Sequence, residues 1–307
     1  MEIEALHPEL RQAYKRIPAL PLHRSSVRWM LKKLMGLAPN KKLLEGISIE
    51  EKTLGQWGLR IYKPQEQQSD AGLLWIHGGG LILGNAKVDD RQCVKFAKQL
   101  GIAVISVEYR LAPKHPYPAA IDDCFAAWQW FQDEAKNLGV NPERIAIAGQ
   151  SAGGGLAANL AQRIYDADGV QPVAQILFCP MLDDRTAADI SLDPLRHRLW
   201  SNINNRFGWS AYLCQEPDLE SVPPYAVAAR REDLSGLPPA WIGVGDIDLF
   251  CEEDKHYFER LQAAGVESEL HISPQAPHGF ESLVPGSSVS QAFHASMLAF
   301  LKKALAV

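Results

Sequence analysis

The stretch 146–156, Ala-Ile-Ala-Gly-Gln-Ser-Ala-Gly-Gly-Gly-Leu, constrains this chain more than any other. An apolar, β-like run at 145–148 leads into it, and Leu156, Ala157, Leu160 and Ala161 follow at helical spacing. Strand, sharp turn and helix is the setting in which G-x-S-x-G bends a serine into a strained backbone conformation and lifts its hydroxyl above a sheet. The glycines on either side leave room for the turn, and the helix N-terminus behind it favours developing negative charge. A nucleotide-binding loop fits poorly. The G-x-G-x-x-G spacing fails at Ser151, and no Gly-Lys-Ser/Thr is present.

The rest of the pattern supplies a sheet for that turn. Residues 47–54 and 59–62 read as two strands joined by the Gly-Gln-Trp-Gly turn at 55–58. Short apolar strands at 73–76, 103–107, 145–148, 173–178, 240–244 and 268–272 then alternate with helical segments at 89–100, 119–137, 151–165 and 252–264, and with one from about 288. Such alternation predicts an α/β fold, a mostly parallel eight-stranded sheet with helices on both faces and an antiparallel edge. Two regions stand apart. Residues 1–45 read as helical, with Leu10, Tyr14 and Ile17 in one segment and an amphipathic basic segment at 25–37. Residues 183–227 are polar, aromatic and proline-containing, and they break the rhythm.

Composition narrows the function. The chain has 307 residues, 47% hydrophobic and 22% charged, with a net charge of −5, which disfavours nucleic acid or an anionic membrane as partner. Five scattered cysteines without C-x-x-C spacing point to reduced thiols and a cytoplasmic setting, with no zinc signature. The N-terminus lacks the basic and apolar regions of a signal peptide, and no apolar run is long enough to span a membrane. The segment 25–37 keeps a membrane-surface helix under consideration, against the commoner outcome of a helix packed on its own protein.

In open sheets of this kind, reactive groups collect beyond the carboxyl ends of the strands. After 73–76 comes His77-Gly-Gly-Gly80, whose glycines leave backbone N–H groups uncovered, as an oxyanion hole requires. His77 itself reads as structural. After 240–244 come Asp246 and Asp248, of which Asp248 lies farther into the loop and is preferred as the residue that orients a histidine. Glu252 and Asp254 read as solvated positions of the next helix. After 268–272 comes His278, between Pro277 and Gly279 on a loop where a base can meet the serine; His271 reads as a packed or surface residue of the strand, His256 and His294 lie in helices, and His115 and His197 are weaker candidates. The chain order Ser151, Asp248, His278 is that of one of the three known serine-hydrolase arrangements.

These segments together resemble a known family. His77-Gly-Gly-Gly80, the run Tyr109-Arg-Leu-Ala-Pro-Lys-His-Pro-Tyr-Pro-Ala-Ala120, Gly149-Gln-Ser-Ala-Gly-Gly154, Asp248-Leu249 and His278-Gly-Phe280 are similar to the motifs of the hormone-sensitive-lipase-like carboxylesterases of the α/β-hydrolase fold. The resemblance covers about residue 45 to the C-terminus. It implies a serine esterase acting on short- to medium-chain carboxylic esters, with no cofactor and no metal. It also implies a helical cap made from residues 1–45 and an insertion at 183–225, over a catalytic domain at 46–182 and 226–307. Two departures stand out: Gln150 occupies a position often acidic in the family, and Lys114 one often held by Glu.

The expected chemistry is acyl transfer to water, with Ser151 as nucleophile, His278 as base and Asp248 as the group that fixes its tautomer. The N–H groups of Ala152, Gly79 and Gly80, with Gly78 as a further candidate, would hold the oxyanion. Leu81 and Gln150 are expected at the substrate pocket. Phe207, Trp209 and Tyr212 either line it or pack the cap on the core; the sequence leaves both open. The expected partner is a small-molecule ester, and a homodimer is left open. Alternatives are a hydrolase acting on amides, lactones or acetylated metabolites, a non-catalytic small-ligand receptor of the same fold, and a membrane-associated lipase.

Overall fold

A computed structural model describes residues 2–18, 20–35 and 45–307. One eight-stranded sheet runs through it. The strands are β1 (Ile47–Leu54), β2 (Trp57–Pro64), β3 (Gly72–Ile76), β4 (Ala103–Glu108), β5 (Ile145–Gln150), β6 (Gln175–Phe178), β7 (Ala240–Gly245) and β8 (Ser268–Ser273). Their spatial order is β1-β2-β4-β3-β5-β6-β7-β8. β1 and β2 pair antiparallel, β2 pairs antiparallel with β4, and every later pairing is parallel.

The central strands are buried along almost their whole length, and apart from Gln150 and Gln175 they are apolar, because both faces are covered. Period-two alternation divides their side chains between two cores. Leu74 and Ile76 of β3, with Ile145 and Ile147 of β5, enter one core together with α4 (Ala119–Glu134), α5 (Ala152–Asp166) and α8 (Cys251–Ala263). Leu73 and Trp75, with Ala146 and Ala148, enter the other together with α3 (Asp90–Leu100) and α10 (Ser288–Leu305), which follows the short α9 (Phe280–Leu283). The second core is filled by aromatic rings: Phe178 meets Trp75 at 5.5 Å and Trp241 at 5.6 Å edge to face, and Phe293 at 5.3 Å in a tilted pair. Such pairs contribute about 0.5–1.5 kcal/mol each beyond the area they bury.

The N-terminal residues divide between two locations. α1 (Pro8–Lys15) sets Leu10 and Tyr14 into the second core, below the sheet's α10 side. It also grips the chain around His278: the His7 N–H donates to the Gln275 carbonyl at 2.8 Å, and Glu9 accepts from the Ser288 N–H at 2.7 Å. α2 (Ser25–Met35) belongs with the 183–225 insertion, which folds into α6 (Asp184–Ala188), a 3-10 turn at Ile190–Leu195 and α7 (Asn202–Leu213). Asn204 clasps the two parts, accepting from the Leu22 N–H at 3.2 Å and donating to the Leu20 carbonyl at 3.1 Å. The Arg28 guanidinium lies 4.7 Å over the Phe207 ring. The last two positions of the expected 25–37 helix lie outside the described residues. Among the described residues, no helix is long and apolar enough to cross a membrane.

The run 109–120 is structural. Arg110 makes a forked pair with Asp123, with Nη2 2.7 Å from Oδ1 and Nε 2.9 Å from Oδ2, and the Tyr109 hydroxyl donates to the His77 carbonyl at 2.9 Å.

Candidate active site

Ser151 sits between β5 and α5 with φ +56° and ψ −121°. A non-glycine residue there costs about 1–3 kcal/mol and persists only when its surroundings hold it. Three hydrogen bonds do so. The Ser151 N–H donates to the Phe178 carbonyl at 2.8 Å, and its carbonyl accepts from Gly155 at 3.0 Å and Met181 at 2.9 Å. The turn is tight enough that a Cβ on Gly153 would fall 2.1 Å from the Ile76 carbonyl oxygen. Only glycine lets the elbow lie against the end of β3.

The elbow, the loop after β7 and the loop after β8 converge. The Ser151 Oγ lies 2.9 Å from His278 Nε2, and His278 Nδ1 lies 2.9 Å and 3.1 Å from the two Asp248 oxygens. All three residues are buried. Asp248 also accepts from the Phe250 N–H at 3.0 Å, and the Phe250 ring meets the imidazole edge-on at 5.2 Å. Asp246 is exposed and accepts only from the Ala276 N–H at 3.3 Å among the described residues. Burial disfavours a charged His278, but the charge and hydrogen bond of Asp248, with the charge of Glu281, outweigh it and hold the imidazole above its ordinary pKa.

The glycine run lies beside the serine. A Cβ on Gly78 would fall 3.4 Å from the Ser151 Cβ. Gly79 turns back, its carbonyl accepting from Ile82 at 3.2 Å and Leu83 at 3.0 Å. Gly80 has φ +61°, and a Cβ there would meet the Trp200 ring at 1.8 Å, so the insertion rests directly on this loop. The N–H groups of Gly79, Gly80 and Ala152 find no backbone acceptor among the described residues. His77 is buried and stacked on Tyr109 at 4.2 Å, and burial pushes its pKa down to about 4.

The remaining expected positions are also placed. Leu81 is buried, with its carbonyl bound by the Ala112 N–H at 3.0 Å. Trp209 and Tyr212 are buried in the first core, their rings 6.3 Å apart, while Phe207 is half-buried under Arg28. Gln150 donates through Nε2 to the Glu281 carboxylate and to the Ser282 hydroxyl, the latter at 3.0 Å. Glu281 is buried, and burial raises its pKa. An amide at position 150 therefore supplies a donor to a buried carboxyl, which a second acid there would not do once ionised. His197, a weaker candidate, lies near enough to Asp248 and His278 to feel their charges, and burial lowers its pKa.

A family model described as alpha/beta hydrolase fold matches residues 73–282. The chain is 38% identical over 287 residues to carboxylesterase NlhH of Mycobacterium tuberculosis, covering 89% of this chain and 88% of that protein. The chain belongs to the hormone-sensitive-lipase-like carboxylesterases of the α/β-hydrolase fold. Esterase LipI of the same organism is 38% identical over 232 residues, which is 74% of this chain and 71% of LipI. A solved bacterial heroin esterase superposes with a TM-score of 0.89 at 34% identity, covering 99% of both chains.

Within this carboxylesterase, several site neighbours were not visible in the sequence. Trp200, Glu281 and Tyr14 are the main ones, and Asp254 reverses its expectation. It lies in α8 as expected, but it is fully buried because the first turn of that helix faces inward. Tyr14 Oη donates to the His278 carbonyl at 2.7 Å from 264 residues away. Tyr14→Phe leaves that buried carbonyl unpaired. The expected outcome is a stability loss of about 1–3 kcal/mol, read from the denaturation midpoint, with a lower kcat and a KM little changed. An unchanged midpoint and kcat would show that α1 does not hold the histidine loop.

Proposed function

We propose that the chain is a serine carboxylesterase that hydrolyses short- to medium-chain esters through Ser151, His278 and Asp248. The observation that carries this reading is the continuous chain of contacts from Ser151 Oγ to His278 at 2.9 Å and on to Asp248 at 2.9 Å, beside a glycine loop with uncommitted N–H groups.

In this mechanism the Ser151 oxygen attacks the ester carbonyl as its proton passes to His278 Nε2. Asp248 holds the imidazole with its proton on Nδ1 and stabilises the imidazolium that forms. The N–H groups of Gly79, Gly80 and Ala152, with Gly78 adjacent, receive the oxyanion; a donor of this kind contributes about 2.7–4 kcal/mol. The imidazolium then gives its proton to the leaving alcohol, and the neutral ring draws a proton from water as it attacks the acyl-enzyme. Leu81 and Gln150 border the reacting centre, and Phe207, Trp209 and Tyr212 shape the cap above it. Trp200 against Gly80 favours compact esters by narrowing the space above the oxyanion loop. Five free cysteines, four of them buried, support a cytoplasmic setting.

Ser151→Ala is expected to lower kcat for a short p-nitrophenyl ester by at least about three orders of magnitude while the fold is kept. Retained wild-type turnover would sink the assignment of the nucleophile.

The charge of Glu281 is among the influences that raise His278. Only the neutral imidazole accepts the serine proton, so the acid limb of kcat/KM follows the His278 pKa. Glu281→Gln removes one influence that raises it, and the acid limb is expected to move to lower pH. A limb that stays in place would show that Glu281 does not act on the base.

A further inference from the structure

Beside the His278–Asp248 pair lies a thiol that ester hydrolysis does not use. Cys179 follows β6 and is fully buried. The Cys179 Sγ, an Asp248 carboxylate oxygen and a His278 ring nitrogen all lie within 4.8 Å of one another. Among the described residues this is the only group of three such ligands that could surround a metal ion.

Thiolate, imidazole and carboxylate are the three ligand types of tetrahedral zinc. Bond lengths of about 2.0–2.3 Å set neighbouring ligand atoms roughly 3.3–3.7 Å apart in a tetrahedron. The cluster reaches that spacing with shifts of about an ångström or less. A second observation makes the same place short of positive charge. Asp254 is fully buried, neither of its oxygens has a hydrogen-bond partner, and it lies close enough to Asp248 and Cys179 to interact with their charges. The Glu281 charge acts on Cys179 as well. A buried thiol surrounded by three carboxyl groups is an environment that a divalent cation improves.

We propose that Cys179, His278 Nδ1 and Asp248 form an inhibitory site for a thiophilic divalent cation of the zinc class. Binding releases the Cys179 proton to solvent. The imidazole proton moves from Nδ1 to Nε2, freeing the Nδ1 lone pair for the metal. The fourth position is left to water. His278 now presents a protonated Nε2 to Ser151 and cannot accept its proton, so hydrolysis stops until the metal leaves. The inhibition, though not the binding, rests on the reading of His278 as the general base.

The test uses the full chain with the exposed Cys214 replaced by Ser, so that no surface thiol competes. Hydrolysis of a p-nitrophenyl ester is measured in zinc-buffered solution, with each variant normalised to its own zinc-free rate. Zinc is expected to inhibit this parent reversibly, with activity restored by a chelator. Cys179→Ala and Cys179→Ser are each expected to raise the half-inhibiting zinc concentration about tenfold or more. Equal zinc sensitivity in these variants, or no inhibition of the parent together with no cadmium band, overturns the proposal. Binding is read separately from catalysis by the ultraviolet cadmium–thiolate band in the Ser151→Ala variant. One cadmium per chain is expected there, and none once Cys179→Ala is added. A band that is missing from Ser151→Ala, or that survives loss of Cys179, also overturns it. If the cadmium band behaves as expected while zinc fails to inhibit, the base assignment fails and the metal site stands.

Discussion

The site depends on one strained residue being held where it is. Ser151 occupies a left-handed backbone conformation that its own side chain disfavours, and three backbone hydrogen bonds from the Phe178, Gly155 and Met181 positions keep it there. The bonds with Phe178 and Met181 exist because β6 lies beside β5 in parallel register, with Gln150 opposite Phe178, and the bond from Gly155 is the first turn of α5. The sheet in turn is fixed by side chains that alternate between two cores, so a register slip would send Leu74 and Trp75 to the wrong faces. Sheet packing, elbow strain and the direction of the serine hydroxyl are therefore one chain of cause.

The partners of Ser151 are held from outside the sheet. His278 lies on a loop, and a loop alone would place an imidazole loosely. Here the loop is gripped from the far end of the chain: His7 and Tyr14 bind backbone carbonyls at Gln275 and His278. Phe250 presses on the ring, and Asp248 fixes its orientation. The insertion acts on the opposite side, where the Trp200 ring fills the space that any side chain on Gly80 would need. The helical segments thus contribute order to the loops that carry chemistry, apart from whatever substrate they enclose.

Much of this was legible in the sequence, and the boundary of legibility is physical. Short apolar runs mark the strands, and the proposed reactive residues are marked by their place just after those runs. That is why Ser151, Asp248 and His278 could be chosen from the chain, with Asp246 set aside. Local pattern carries no information on which distant groups meet. Tyr14 reads as one apolar position of an amphipathic helix, and its bond to His278 spans 264 residues. Gln150 is anomalous in the sequence alone, and the buried Glu281 beside it supplies the reason for an amide there. Asp254 reads as solvated because charged residues on helices usually are, whereas the start of α8 turns inward toward Asp248. Cys179 is one of five scattered cysteines in the sequence, and only the fold brings it to the histidine.

The central claim is that hydrolysis passes through an ester of Ser151. The most direct measurement is intact and peptide mass spectrometry after rapid acid quench of the wild-type chain turning over a p-nitrophenyl ester. A mass increase equal to the acyl group, confined to the peptide that contains Ser151, is the predicted result. Full turnover with no acyl adduct, or an adduct on another residue, would contradict the account.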